Sequence, residues 1–156
     1  MEKQKATSTG LNLPISTKHA IEVCSLIRGR TVEQASRMLD EVIHKKRPVP
    51  FKRFNRDVGH KKGGVSSGRF PKKACMHVLK ILKNGEANAS QVGLASPYVV
   101  EEIRATRGVR NWKASRHRGR KGKSTHVYIT ITEGKKSEKK TDPAKKKAEK
   151  KEAKKK

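Results

Sequence analysis

Acidic residues are scarce in this sequence, which has 14 Asp and Glu against 40 Lys and Arg among 156 residues, a formal net charge of +26. So large an excess is beyond what solubility requires and predicts a polyanionic partner. The scarcity also argues against catalysis, because the sequence contains no pair of carboxylates suited to acid–base chemistry, no nucleophile elbow and no phosphate-binding loop of the usual spacing. We therefore expect a binding protein and not an enzyme.

Aromatic and apolar residues are also few. They make up 4% and 32% of the sequence, which predicts a single core of modest size. No stretch approaches 18 apolar residues, and the N-terminus lacks the apolar segment of a signal peptide, so we expect neither a membrane span nor secretion.

Metal ligands are not arranged in any usual pattern. The two cysteines, Cys24 and Cys75, form no C-x-x-C motif, and each lies among apolar residues at helical spacing. This predicts buried thiols in a reducing compartment. None of the six histidines has ligand spacing to another histidine or to a cysteine, so we expect no metal site and no cofactor.

The charge and composition divide the chain into three parts. Residues 1–10 are predicted to be a flexible N-terminus, and residues 11–133 an α+β domain. Residues 134–156 hold twelve lysines and four acids, with no aliphatic residue larger than alanine. Such a segment cannot bury enough apolar surface to offset chain entropy, so we expect a disordered, lysine-rich tail.

Three helices are predicted from apolar stripes of helical spacing. The first is capped by Ser16 or Thr17 and ends at Gly29; the second has the capping-box pair Thr31 and Gln34; the third begins at Pro71. The inward positions are Ala20, Val23, Cys24 and Ile27 in the first helix, Ala35, Met38, Leu39, Val42 and Ile43 in the second, and Ala74, Cys75, Val78, Ile81 and Leu82 in the third.

Three strands are predicted from alternation of apolar and polar residues. The segment "LNLPIS" suits a short edge strand with Leu11, Leu13 and Ile15 inward, because Pro14 removes a ladder donor. Residues 98–107 and 127–132 predict two further strands. Their inward residues are Val99, Ile103 and Ala105 in the first, and Val127, Ile129 and Ile131 in the second. The simplest topology joins these two strands as one antiparallel hairpin.

The segment between these strands, residues 104–123, is called here the finger. It has nine basic residues and no acid: Arg104, Arg107, Arg110, Lys113, Arg116, Arg118, Arg120, Lys121 and Lys123. Such dense like charge repels itself unless phosphates lie alongside, so we expect the finger to bind nucleic acid and to be mobile until bound. Each arm from about Ile103 or Ile131 would span ~43 Å. His117 joins the candidate RNA-binding residues. Trp112 could stack on a base or wedge into a groove, or it could pack on the neighbouring arm or on another protein.

Residues 45–73, called here the basic loop, repeat this charge pattern with eleven Lys and Arg against one acid, Asp57. Three phenylalanines, Phe51, Phe54 and Phe70, could anchor the loop on the body or contact bases. The candidate RNA-binding residues here and at the start of the first helix are Lys18, His19, Arg47, Lys52, Arg53, Arg56, His60, Lys61, Lys62, Arg69, Lys72 and Lys73.

Four segments together resemble the universal uL22 family of large-subunit ribosomal proteins, in its archaeal and eukaryotic form. They are "ISTKHAIEVCSLIRGRTVEQASRMLDEVI", "RPVPFKRFNRDVGH", "GRFPKKACMHVLKILKNGEANA" and "THVYITITE". The resemblance covers roughly residues 11–133 and implies three helices packed on a small antiparallel sheet with a long extended β-hairpin.

The same resemblance implies a structural role in the cytoplasmic large ribosomal subunit. Its partners would be rRNA, neighbouring large-subunit proteins and, where the hairpin tip lines the exit tunnel, the nascent peptide. The family's usual "R-A-x-G-R" run is replaced here by "KASRHRGRKGK", so the tip could lie anywhere from Lys113 to Arg120.

Two other classes of protein would share this composition. A DNA-binding, chromatin-like protein could present two helices joined by "RGR" and a lysine-rich tail. Against it, both helices use their apolar stripes for a core, and the charge concentrates in the basic loop and the finger. A free RNA chaperone is the third possibility, which composition alone does not separate from a ribosomal protein.

Overall fold

Three helices and five strands make up the part of the chain that this computed structural model describes, residues 4–114, 116 and 118–134. Their bounds are β1 Ala6–Leu13, α1 Thr17–Ile27, α2 Val32–Ile43, β2 Val49–Pro50, β3 Gly68–Arg69, α3 Lys72–Gln91, β4 Tyr98–Arg107 and β5 Thr125–Glu133. The predicted α+β class is confirmed. His117 and the predicted tail from residue 135 onwards lie outside the described residues.

The three helices begin at their predicted caps, and α1 ends just before Gly29, as predicted. Ser16 is the N-cap of α1, and the Thr31 hydroxyl accepts the Gln34 N–H at 3.3 Å at the start of α2. Gly29, with φ +72°, makes the turn between them, and its N–H donates to the Val100 carbonyl at 2.9 Å. A left-handed φ favours glycine, so this residue allows α1 and α2 to connect tightly against β4.

The main sheet has β5 at its centre, with β1 and β4 paired antiparallel on either side. β4 and β5 pair from Tyr98 with Glu133 to Arg107 with Thr125, which confirms the predicted hairpin. The predicted edge strand does lie at an edge. The inward residues predicted for the last strand, Val127, Ile129 and Ile131, are fully buried.

β1 begins five residues earlier than predicted. Of its predicted inward residues, Ile15 is buried and Leu13 packs against the core, but Leu11 faces outward. Residues 6–10, which the sequence assigned to a flexible N-terminus, pair with β5, and Ala6, Ser8 and Gly10 are buried, whereas Leu11 is 61% exposed. Small inward residues are needed because α3 packs directly on this strand: a Cβ added to Gly10 would collide with Ile81. The register shifts between Gly10 and Leu13, so the apolar alternation of "LNLPIS" does not follow the sheet.

β4 also differs from its prediction by one residue. Val100 is buried where Val99 was predicted, while Ile103 is buried as expected and Ala105 is half-buried. The register shifts between Val100 and Glu102, since these residues pair with the consecutive β5 residues Ile131 and Thr130. A bulge of this kind adds one residue to one strand and changes which face its neighbours occupy.

The core lies between the helices and the Val127–Ile131 face of the sheet. α3 also lies close to the sheet at Gly85, where an added Cβ would lie 2.8 Å from the Ile131 Cδ1 atom. Cys24 and Cys75 are both buried free thiols, as predicted, and burial raises the pKa of each to about 12. The thiols therefore serve as apolar packing groups.

Candidate nucleic-acid interface

The basic loop is attached to the body by a short two-stranded sheet that the sequence did not reveal. Val49 and Pro50 pair with Arg69 and Gly68, and the Phe51 N–H donates to the Ser67 carbonyl at 2.8 Å. Strands of two residues are too short to show alternation. Phe51 is buried in the core, so it anchors the loop, one of the two roles considered for it.

A buried carboxylate holds the next part of the loop. Glu22 in α1 is 2% exposed and accepts the backbone N–H groups of Lys52, Arg53 and Phe54 at 3.2, 2.9 and 2.8 Å. Carboxylate–amide hydrogen bonds are about twice as strong as neutral ones. Glu22 was not predicted as a functional residue, because at 100° per residue it lies about 200° around the helix from Ala20, on the side expected to face solvent.

Five of the predicted site residues meet at one cleft between the start of α1 and the basic loop. They are Lys18, His19, Arg53, Arg56 and Arg69. The ring of Phe54 forms part of the wall, with the Lys18 Nζ and Arg53 Cζ atoms 5.6 and 5.4 Å from its centroid. The cleft therefore combines a concentration of positive charge with an aromatic surface.

His19 is a half-buried residue in the lining of this cleft. Its ring meets that of Phe51 edge to face, with centroids 5.5 Å apart. Burial lowers the pKa of His19, and the nearby charges of Arg69 and Lys123 lower it further. The imidazole is therefore neutral at pH 7, with one nitrogen that donates and one that accepts hydrogen bonds.

The remaining predicted residues of the body lie on its surface outside this cleft. Arg47 pairs with Glu41 at 3.7 Å and so is partly neutralised. Lys72 and Lys73, in the first turn of α3, line a second cleft with His19 and Lys123. The other exposed members are Lys52, His60, Lys61 and Lys62.

The base of the finger is fixed to β1 by polar contacts. The Ser124 hydroxyl donates to the Asn12 side-chain oxygen at 3.2 Å, and the Asn12 N–H donates to the His126 Nδ1 atom at 3.1 Å. Gly108 fits between these groups, since an added Cβ would lie 3.0 Å from the His126 Nε2 atom and would collide with the Ser124 hydroxyl.

The arms of the finger remain paired beyond β4 and β5. The Gly122 N–H donates to the Asn111 carbonyl at 2.8 Å, and the Lys113 N–H donates to the Arg120 carbonyl at 2.9 Å. The connecting residues are therefore 114–119, within the range expected for the tip. Trp112 is 62% exposed, and the Lys121 Nζ atom lies 4.4 Å from its ring centroid. Both a base and a protein group could reach its ring.

The basic side chains of the finger are exposed. Among the described residues, the ion pairs are Lys5 with Glu101 and Arg47 with Glu41, and neither involves the finger. Arg104 lies over the Tyr128 ring, 5.5 Å from its centroid. The other exposed basic residues are Arg107, Arg110, Lys113, Arg116, Arg118, Arg120, Lys121 and Lys123.

Residues 4–114, 116 and 118–134 hold neither a candidate metal site nor a candidate membrane span. No three His, Cys, Asp or Glu side chains in these ranges are grouped so that they could hold a metal ion. No helix there combines the length and the apolar composition needed to cross a membrane.

Comparison with known proteins identifies the family. A family model described as Ribosomal protein L22p/L17e matches residues 8–132. Among curated proteins named large ribosomal subunit protein uL22, that of Archaeoglobus fulgidus is 45% identical over 95 residues, covering 60% of this chain and 61% of that protein. The Methanothrix thermoacetophila protein is 48% identical over 101 residues (64% and 66%), and the Methanosphaera stadtmanae protein 40% identical over 141 residues (85% and 91%). The chain therefore belongs to the Ribosomal protein L22p/L17e family.

Proposed function

We propose that this protein is a structural constituent of the large ribosomal subunit, located in cytoplasmic ribosomes, where it binds and organises rRNA beside other large-subunit proteins. The family and the printed names of the relatives support this role. The role is one of binding and not of catalysis, in keeping with the scarcity of acids.

The observation that carries the proposal is the acid-free finger on paired β arms. Residues 104–123 hold nine Lys and Arg and no acid, and backbone pairing keeps both arms together out to Lys113 and Arg120. Paired arms bring like charges close together, which is unfavourable in water alone and favourable when each cation replaces counterions on a phosphate backbone. An RNA environment therefore explains both the charge and the shape.

The kind of basic residue also supports RNA as the partner. Six of the nine basic residues in the finger are arginines, and a guanidinium binds phosphate with two parallel hydrogen bonds and stacks on bases. The exposed basic residues of the finger and of the basic loop are proposed to bind rRNA. The lysine-rich residues 135–156, outside the described part, are proposed to be a tail that adds looser phosphate contacts.

A finer proposal is that the finger tip lines the nascent-peptide exit tunnel. From Ile103, a fully buried core residue of β4, to Lys113 an arm measures ~33 Å at ~3.3 Å per residue, whereas a body of this size has a radius of gyration of ~14 Å. The tip would then lie well inside the surrounding RNA. Arg116 and Arg118, which are exposed in the connecting segment, would be the groups nearest to the tunnel.

The test of the main proposal is sedimentation of a cell lysate on a sucrose gradient after a high-salt wash. Co-migration with the large subunit is expected. A pool at the top of the gradient would indicate a free RNA chaperone, and recovery with the nucleoid or chromatin would indicate a DNA-binding protein. Either result would overturn the ribosomal role.

The tunnel proposal needs a separate test. A photo-crosslinking amino acid at position 116 should form adducts with a stalled nascent chain in purified ribosomes. The same group at position 33, an exposed site on α2, is the control and should form none. Equal yields at both positions, or none at position 116, would contradict a tip at the tunnel wall.

A further inference from the structure

The cleft at the start of α1 has the composition of a small-ligand site as well as that of a charged surface. It measures about 340 Å³, which lies within the usual size range of ligand pockets. Four cationic side chains line it with no carboxylate among them: Lys18, Arg53, Arg56 and Arg69. The other residues that line it are Ser16, His19, Phe51, Phe54 and Val58.

The walls of this cleft are built into the fold of the protein alone. Glu22 accepts three consecutive backbone N–H groups behind the wall, and Phe51 is buried in the core. The Arg69 guanidinium donates to the Asp57 carbonyl at 3.4 Å and ties the two sides of the basic loop together. A site that is already formed loses less entropy when its ligand binds.

The groups in the cleft match the parts of a nucleotide. Guanidinium and ammonium groups bind phosphate, and an aromatic ring face stacks on a base. Ser16 and a neutral His19 can each donate and accept a hydrogen bond, as recognition of a base edge or a 2′-hydroxyl requires. Lys18 and Arg53 lie over the Phe54 ring, and a phosphate could draw either side chain away and free a ring face.

We propose that this cleft binds one unpaired nucleotide of RNA, with its base on Phe54 and its phosphate among Lys18, Arg53, Arg56 and Arg69. The inference rests on the proposed rRNA-binding function and specifies which RNA feature the body recognises. A base within a duplex is stacked on both faces and cannot meet Phe54, whereas a base in a loop or bulge can. The cleft at the base of the finger, between Val109 and Ser124, has no aromatic ring in its lining, so its contacts need not distinguish paired from unpaired RNA.

The test compares two RNAs on the full chain at about 200 mM salt, where loose phosphate contacts are weakened. The probes are hexauridylate and a twelve-base-pair RNA duplex. Phe54→Leu, which removes the ring and keeps an apolar side chain, should weaken hexauridylate binding roughly tenfold, as loss of one stacked base does, and leave duplex binding unchanged. Met76→Leu, at an exposed position on α3 outside the cleft, is the control and should change neither the hexauridylate affinity nor the duplex affinity.

A direct contact measurement accompanies the affinities in case Phe54→Leu disturbs the fold, which thermal unfolding would reveal. Hexauridylate carrying 5-iodouridine should cross-link to wild-type residues 16–19 or 51–58. Unchanged hexauridylate binding by a folded Phe54→Leu protein, or adducts only in the finger and tail, would overturn the nucleotide site while large-subunit sedimentation stands. A wild-type protein that bound neither RNA and sedimented free would overturn the proposed function itself.

Discussion

The carboxylate of Glu22 accepts the backbone N–H of Phe54 at 2.8 Å, joining α1 to a residue 32 positions away in the basic loop. Together with the bonds to Lys52 and Arg53, this contact lets an acid fix the position of a cationic surface without neutralising a guanidinium or ammonium directly. The scarce acids of this protein thus include one whose role is to support the basic loop.

Replacing Glu22 should loosen the basic loop. Glu22→Gln keeps the size of the side chain but substitutes an N–H donor for one acceptor oxygen, so at least one backbone N–H loses its partner. We expect the free energy of unfolding to fall by ~1–3 kcal/mol, measured by urea denaturation. Glu102→Gln, at an exposed position on β4, is the control. Equal stability of the two variants would show that the Glu22 contacts contribute nothing.

Gly108→Ala should disturb the base of the finger. The new methyl group would press on Ser124 and His126, and such overpacking costs ~1–3 kcal/mol. Amide hydrogen exchange should therefore become faster in residues 106–110 and 124–126. Gly119→Ala, where an added Cβ meets nothing within 4 Å, should leave exchange at these positions unchanged. Identical exchange in both variants would mean that the base adapts without strain.

Reversing charge at the tip should impair assembly and spare the fold. Arg116 and Arg118 are exposed, so Arg116→Glu with Arg118→Glu should change the free energy of unfolding by less than ~0.5 kcal/mol. The same double variant should enter large subunits poorly, measured by its share in gradient fractions. The control is Lys80→Glu with Lys83→Glu on the exposed side of α3. This double variant makes the same change in net charge and should enter large subunits better than the tip variant. If the two double variants enter large subunits equally well, the effect depends on net charge alone, and the proposed role of Arg116 and Arg118 at the tip is contradicted.

A carboxyl group in the core should unfold the body. Val78 is fully buried in α3, and an unpaired carboxylate there costs several kcal/mol against a total stability of ~5–15 kcal/mol. Val78→Asp should therefore lose its thermal transition or unfold far below the wild type. Val92→Asp, at a position 47% exposed, should unfold close to the wild-type temperature. A cooperative, wild-type transition in Val78→Asp would contradict the packing described for α3.

The lowered pKa of His19 predicts an acid-sensitive contribution to stability. Burial, Arg69 and Lys123 disfavour the protonated ring in the folded state, while the unfolded chain takes up its proton at a pKa near 6.5. The unfolded state therefore binds more protons as the pH falls below about 6.5, and the free energy of unfolding decreases until the folded state is protonated too. His19→Gln should lose less stability than the wild type between about pH 7.5 and 5.5. Parallel curves of unfolding free energy against pH for the two proteins would contradict this prediction.

Features that depend on local sequence were predictable. The stripes of the three helices, the Thr31 cap and the β4–β5 hairpin follow from spacing within short stretches. The inward face of β1 did not, because Gly10 faces inward to admit Ile81 of α3, and no pattern within "LNLPIS" contains that information. The bulge in β4 likewise shifts Val100 inward through its pairing with β5.

The candidate site was predictable in composition but not in arrangement. Its cationic residues were evident from charge, yet the cleft forms only where residues 16–19, 51–58 and 69 meet. These segments are brought together by the β2–β3 pairing and by Glu22. Both depend on contacts between distant parts of the chain, which helical and strand periodicity do not report.

The place of β5 between β1 and β4 has a consequence for how the chain matures. Ala6 pairs with Ile131 in the sheet. β1 therefore has no strand partner until almost the whole domain has been synthesised. Strand pairs between segments this far apart in sequence form slowly. During translation the helices can pack together early, whereas the backbone N–H and C=O groups of β1 have no strand partner until β5 has been synthesised. The exposed Thr7 and Thr9 of β1 would keep that unpaired edge hydrated and so lower its tendency to pair with other chains.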